Sequence, residues 1–200
     1  MYTLIGSPKT RAFRVLWMLE ELEQPYTLLP AAPHSDDVLK HNPAGKVPAL
    51  LVDGEPLLDS VAICQYLADH HGRHTHAAGT IERARQDSFT QFCVDEIEGA
   101  LWTAARHSFI YPEERRVPAI KEACAYEFQR ALQTLEKRLG NHPYVTGEMF
   151  TVADLIIGHC SIWARAAKFS LPKEGAVKQY LGRVLARPGF QRAAKRRETP

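Results

Sequence analysis

The sequence predicts a small α/β unit over residues 1 to 72 and an all-helical unit over 80 to 200, joined by a linker over 73 to 79. Three observations predict this division. Short strand-like apolar runs lie before Gly72, whereas beyond it apolar residues recur at helical spacing. The early elements run strand, helix, strand, then a hairpin and a second helix. Asp53-Gly54 is a strong two-residue hairpin loop between Ala49-Leu50-Leu51-Val52 and Pro56-Leu57-Leu58.

Tyr2 to Ile5 is a short apolar strand and Gly6-Ser7-Pro8 a turn. A helix begins near Thr10 with an inward stripe of Ala12, Val15, Leu16, Leu19 and Leu22, and Pro25 stops it. Tyr26 to Leu29 is the second strand, reached by a crossover that should be right-handed. Ser35 to His41 is a loosely structured segment. Pro48 stands at the first position of the third strand, where proline donates no hydrogen bond, so the Val47 backbone is left for a ligand. Val47-Pro48 is also a candidate cis peptide. After the hairpin, Asp59 or Ser60 is a natural N-cap for the pattern Val61, Ile63, Cys64, Leu67. The order β-α-β, then β-β-α, is that of a thioredoxin-like fold.

The second unit reads as helices over Thr80 to about His107, Pro112 to Leu139, Thr151 to about Lys168 and Ala176 to Leu185, with a short last one from Pro188. In Phe150-Thr151-Val152-Ala153-Asp154-Leu155, Thr151 and Asp154 form a capping box, and Phe150 can staple onto Leu155. This is a folding element with no catalytic role implied.

Composition narrows the class. The chain is 45% hydrophobic and 24% charged, as in a globular protein with adequate core material. No stretch approaches a membrane span and the N-terminus has no signal-like pattern, so a cytoplasmic location is expected and no membrane partner. Cys64, Cys93, Cys124 and Cys160 are widely spaced, without a C-x-x-C, and read as reduced core residues. The net charge of +2 gives no reason to expect nucleic acid, though mild positive charge suits a small anion. The cluster His70-His71-x-x-His74-x-His76 lacks thiolate or carboxylate partners, so no metal site is expected. The basic tail Arg192, Lys195, Arg196, Arg197 reads as a solvated run.

Val47-Pro48, the Asp53-Gly54 hairpin and the Asp59-Ser60 helix start resemble the glutathione-binding half of the cytosolic glutathione transferases, and the resemblance extends over nearly the whole chain. It implies a thioredoxin-like first domain, an all-helical second domain forming the electrophile pocket, and a homodimer built through the helix at Ser60 and the first long helix of the second unit. It also implies glutathione as co-substrate, with no separate cofactor.

The loop Gly6 to Arg11 leads into a helix N-terminus, where unpaired N–H groups and the helix dipole favour an anion. Redox-active thioredoxin-like proteins carry C-x-x-C here, and this chain has Ser7-Pro8-Lys9-Thr10, which excludes disulfide exchange or mixed-disulfide chemistry from this loop. Gly-Ser-Pro-x-x-Arg resembles the serine-type transferases, in which the serine hydroxyl donates to the glutathione sulfur. Ser7 matches that position. Thr10 is the competitor for the role and also a natural N-cap.

By the same resemblance, Val47 and Pro48 present backbone to the cysteinyl part of glutathione, Asp59 and Ser60 hold the γ-glutamyl end, and Lys46 and His41 approach a carboxylate. The family more often has glutamate where this chain has Asp59. Trp102, His107, Phe109 and Tyr111 are candidates for the electrophile pocket, and aromatic residues at helical spacing also serve as core. The function implied is conjugation of glutathione to hydrophobic electrophiles. Glutathione-dependent isomerisation or dehalogenation, and a non-catalytic binding or regulatory role, are the alternatives.

Overall fold

The computed structural model describes residues 1–198. Two compact units are present, the first made of the N-terminal residues through Thr75 together with the segment from Leu185 onward, the second of His76–Val184. No helix among the described residues is long and apolar enough to cross a membrane.

In the first unit, β1 (Tyr2–Ile5), α1 (Ala12–Leu22), β2 (Tyr26–Leu29), α2 (Asp36–Leu39), β3 (Ala49–Val52), β4 (Glu55–Leu58) and α3 (Ser60–His71) follow in order. The sheet runs β2-β1-β3-β4, with β1 parallel to β2 and antiparallel to β3. This is the thioredoxin-like arrangement that the element order predicts. Asp53 and Gly54 both have positive φ, 50° and 96°, the conformation a two-residue hairpin of this hand requires. The segment expected to be loose contains one helical turn, α2. Ser35 and two aspartates start it, and Val38 anchors it in a small core with Ile5, Ala31 and Ala49.

Helix α1 is buried far beyond its predicted stripe. Phe13, Arg14, Trp17, Met18 and Glu21 are buried along with the apolar positions at helical spacing. The cause is a third neighbour besides the sheet and α3: the C-terminal helix α9 (Pro188–Glu198). Phe190 inserts against Phe13 and Trp17, with ring centroids 6.0 and 4.9 Å apart. Glu21, 5% exposed, receives Trp17 Nε1 at 2.9 Å and a two-pronged contact from Arg187, Nε to Oε1 at 3.0 Å and Nη2 to Oε2 at 2.8 Å. A Cβ on Gly189 would lie 2.5 Å from the Glu21 carboxyl carbon, so α9 approaches at a glycine. The basic tail is therefore not simply solvated. Arg192 Nε pairs with Glu20 at 3.0 Å, and Arg197 lies over the Phe13 ring.

In the second unit, α4 (Ile81–Phe92) and α5 (Gly99–Ala105) are joined and extended by wider π-helical turns at Cys93–Glu98 and Arg106–Ile110. The next helix starts later than its sequence pattern. A short 3₁₀ turn, Glu113–Arg115, precedes α6 (Ile120–Leu139): Arg116 is extended, with φ −81°, ψ 137°, and Pro118 disfavours a helical conformation at Val117, so the helix begins beyond it. Helices α7 (Val152–Ala166) and α8 (Gly175–Leu185) complete the unit.

The capping box opens α7 as read from the sequence, and it does more than cap. Asp154 is fully buried and accepts from Thr151 N (2.8 Å), Val145 N (3.0 Å), Thr151 Oγ1 (3.0 Å) and Tyr180 Oη (3.0 Å). One carboxyl thus ties α7 to α8 and to the loop before it. Burial pushes its pKa up to about 6, against the pull of the four donors.

Two outcomes follow. Arg187→Met leaves Glu21 charged and buried, and should destabilise the chain by about 3 kcal/mol in urea unfolding. For Asp154, the folded pKa lies above that of the unfolded chain, so its contribution is fully present below pH 4 and is lost as pH rises through 6. The stability difference between wild type and Asp154→Asn should therefore narrow by about 2 kcal/mol between pH 4 and pH 7 in denaturant titrations.

Candidate functional site

Three chain segments converge at the C-terminal end of β1. Gly6, with φ 135°, lets the chain leave the strand where a Cβ would meet Ala12 Cβ and Val47 Cβ, each at 3.0 Å. That close approach sets the Ser7 loop beside Val47. Gly6 N and Ser7 N bond back to Leu29 O and Ala31 O, at 3.0 and 3.1 Å, fixing the loop on the β2 side.

The two hydroxyls of the loop have different employment. Thr10 Oγ1 donates to Ser7 O at 2.7 Å and accepts from Ala12 N at 3.2 Å, which commits its single proton within the turn. Ser7 Oγ accepts from Lys9 N at 3.3 Å, and its own proton has no acceptor among the described residues. The amides expected to be free are mostly engaged: Thr10 N and Phe13 N bond to Ser7 O and Thr10 O. What remains for an anion at this corner is the Ser7 O–H and the dipole of α1.

Val47-Pro48 is cis, and the Val47 backbone N–H and C=O make no hydrogen bond among the described residues. The preceding turn is organised by Asn42, whose Oδ1 accepts from Ala44 N at 3.0 Å and whose Nδ2 donates to Lys46 O at 2.8 Å. Lys46 is exposed and His41 half-buried on the same loop. At the start of α3, Asp59 takes φ 64°, ψ 114°, and its side chain makes no capping bond. Ser60 is 6% exposed, and its Oγ accepts from Arg14 Nη1 at 3.2 Å. Neither residue therefore serves as the ordinary N-cap that the sequence suggested.

Ser7, Val47 and Pro48 thus share one corner, and Ser60 is joined to α1 through Arg14. Sequence reasoning missed Arg14 and Asn42. Arg14 left one signal, a lone charge inside the apolar run Ala12-Phe13-Arg14-Val15-Leu16. Asn42-Pro43 left another, an Asx-turn dipeptide.

The aromatic candidates lie in the helical unit and fall into separate groups. Trp102 meets Trp163 at 6.3 Å, and the His159 ring lies 6.5 Å from that of Trp163. His107 meets Tyr111 at 5.2 Å, and its Nδ1 accepts from Val117 N. Phe109 is 67% exposed. Around the linker, Tyr2 Oη and His71 Nε2 are 3.0 Å apart, His70 stacks on Tyr66 with its ring centroid 4.9 Å from that of His71, and among the described residues no group of three ligands could hold a metal.

A family model for the glutathione S-transferase N-terminal domain matches residues 10–70, and one for the glutathione S-transferase C-terminal domain matches residues 118–188. The chain belongs to the glutathione S-transferase family. This transferase is 29% identical to "Glutathione S-transferase GstA" of Escherichia coli O157:H7, over 80% of this chain and 78% of that one. It is 28% identical to "Disulfide-bond oxidoreductase YfcG" of E. coli K12, over 96% and 94%. A glutathione transferase structure from Methylococcus capsulatus superposes with TM-score 0.86 at 28% identity, covering 98% of both chains.

The Asp59 backbone gives a test of the site's construction. A non-glycine residue held at this φ and ψ costs of order 1–3 kcal/mol. Asp59→Gly should raise the midpoint of thermal unfolding, corresponding to about 1 kcal/mol after the extra chain entropy of glycine, and weaken glutathione binding in calorimetric titration.

Proposed function

We propose that this transferase adds the thiolate of bound glutathione to hydrophobic electrophiles, with Ser7 as donor to the sulfur. The observation that carries the choice is the commitment of the Thr10 proton to Ser7 O, against the uncommitted Ser7 O–H. Val47 offers its backbone to the cysteinyl part, and Ser60 and Asp59 hold the γ-glutamyl end. Lys46 and His41 serve the glycyl carboxylate. Trp102, His107, Phe109 and Tyr111 contact the electrophile on the helical unit. The enzyme works in the cytoplasm as a homodimer through α3 and α4.

The gain from thiolate formation is bounded. A thiol of pKa about 8.5 is a few per cent ionised at pH 7, and lowering it by ~2 units raises this to roughly three-quarters. Intrinsic nucleophilicity falls by up to about tenfold in return, so the net gain is a few-fold. The larger share of rate comes from holding thiolate and electrophile together.

A second reading has its own support. The likeness to a disulfide-bond oxidoreductase spans nearly the whole of both chains, and this chain has no cysteine in its site loop. A disulfide substrate would then be reduced by two glutathione molecules, RSSR + 2 GSH giving 2 RSH + GSSG, with the bound thiolate as nucleophile. Turnover of a disulfide faster than of an aryl halide would favour it.

For Ser7→Ala, kcat/KM with an aryl halide should fall about threefold at pH 7 and about tenfold at pH 6, and the deficit should vanish by about pH 8. Thr10→Val should leave that pH profile in place and lower stability by about 1 kcal/mol.

A further inference from the structure

Two buried thiols of the second unit meet without being joined. Cys93 Sγ lies 3.7 Å from Cys160 Sγ, close enough for a weak S–H···S hydrogen bond, and both side chains are fully buried. Both are free cysteines. They lie 67 residues apart in sequence, Cys93 at the first position of the π-helical turn Cys93–Glu98 and Cys160 within α7. A buried thiol ordinarily serves as a small hydrophobe. Two in contact, at a turn where the helix departs from its regular ladder, have a chemistry that neither has alone.

Burial sets the course of that chemistry. A thiolate is disfavoured in an apolar interior, so the pair stays protonated and reduced while the helices are closed. Local opening lets a small peroxide reach one sulfur as thiolate. An S–O bond forms, the O–O bond breaks, and the departing hydroxide takes up the thiol's proton as water, leaving a sulfenic acid. The second thiol attacks that sulfur; the S–S bond forms, the S–O bond breaks and a second water leaves. The sum is 2 RSH + H2O2 giving RSSR + 2 H2O. A sulfur held in contact acts at high effective concentration, so this step outruns oxidation to sulfinic acid. The two sulfurs must close from 3.7 Å to about 2 Å. The same two stretches carry an aromatic pair: α5 continues directly from the π-helical turn to Trp102, and Trp163 lies one turn beyond Cys160 on α7, with the rings 6.3 Å apart.

We propose that Cys93 and Cys160 are a disulfide-forming site for a small peroxide, and that the bond draws α7 toward the π-helical turn and alters the spacing of Trp102 and Trp163. The bond itself is a property of the second unit alone. Its effect on the electrophile rests on the reading of Trp102 as an electrophile contact, and goes beyond it.

The test treats the full chain, as wild type, Cys93→Ala and Cys160→Ala, with hydrogen peroxide under native conditions, then denatures and alkylates each sample for mass spectrometry. Wild type should lose two of its four alkylatable thiols and the mass of two hydrogens, and yield a Cys93–Cys160 linked peptide that dithiothreitol abolishes. Neither variant should form an internal link. Three wild-type results overturn the site: sulfinic acid without a linked peptide, a link to Cys64 or Cys124, or four intact thiols at a dose that oxidises the exposed Met1. Wild type decides this arm whether or not the variants fold. The second arm follows tryptophan fluorescence and turnover of an aryl halide in oxidised and reduced wild type. A displacement of ~1 Å misplaces a bound reactant, so kcat/KM should change by at least about threefold and return on reduction. An unchanged value with the link in place overturns the coupling to the aromatic pair. Failure of the transferase reading looks different: the reduced protein would turn over no aryl halide, and the linked peptide would still decide the thiol site.

Discussion

The first unit depends on the burial of α1. A helix packed only on a sheet leaves one face to water, but α1 is covered by the sheet, by α3 and by α9, and almost every side chain on it is buried. Two charges come inside with it. Glu21 is neutralised by Arg187 of α9, and Arg14 reaches Ser60 of α3. The same helix therefore locks the C-terminal segment onto the fold with one buried charge and touches the first turn of α3 with the other.

The chemistry of the site follows from what that rigid helix leaves over. Its N-terminal turn satisfies itself through Thr10, so Ser7 is left with a donor to offer, and Gly6 allows the Val47 backbone to lie beside it. Asn42 and the hairpin fix the approach of Val47-Pro48, whose peptide groups are not drawn into the sheet. The helical unit has its own buried carboxyl organising its helices, Asp154, shared between α7, α8 and a loop. Each unit is thus held by buried polar contacts whose partners are far apart in sequence, which favours one arrangement over many of similar hydrophobicity.

Most of the fold could be read before the structure because its signals are local. The strands at Tyr2–Ile5 and Tyr26–Leu29, the Asp53-Gly54 turn and the Thr151–Asp154 capping box each declare themselves within a few residues. What escaped the sequence depends on distant partners. The α1 stripe underestimated burial because α9 lies more than 160 residues away in the chain, as the Arg187 to Glu21 contact records. The basic tail looked solvated for the same reason. Pro112 looked like the start of a helix that Pro118 delays to Ile120. At the candidate site, residue types and order pointed to Ser7, Val47, Pro48 and Ser60. The division of labour between Ser7 and Thr10 needed hydrogen-bond directions, and Arg14 needed a partner 46 residues on.

The central claim is that this corner ionises a bound thiol. The most direct measurement is the ultraviolet thiolate absorbance of glutathione, titrated with pH in the presence of saturating wild-type protein and corrected for the protein alone. The account predicts a midpoint about two units below that of the free thiol, with the absorbance already well developed at pH 7. A bound thiol that titrates with the free midpoint would contradict it.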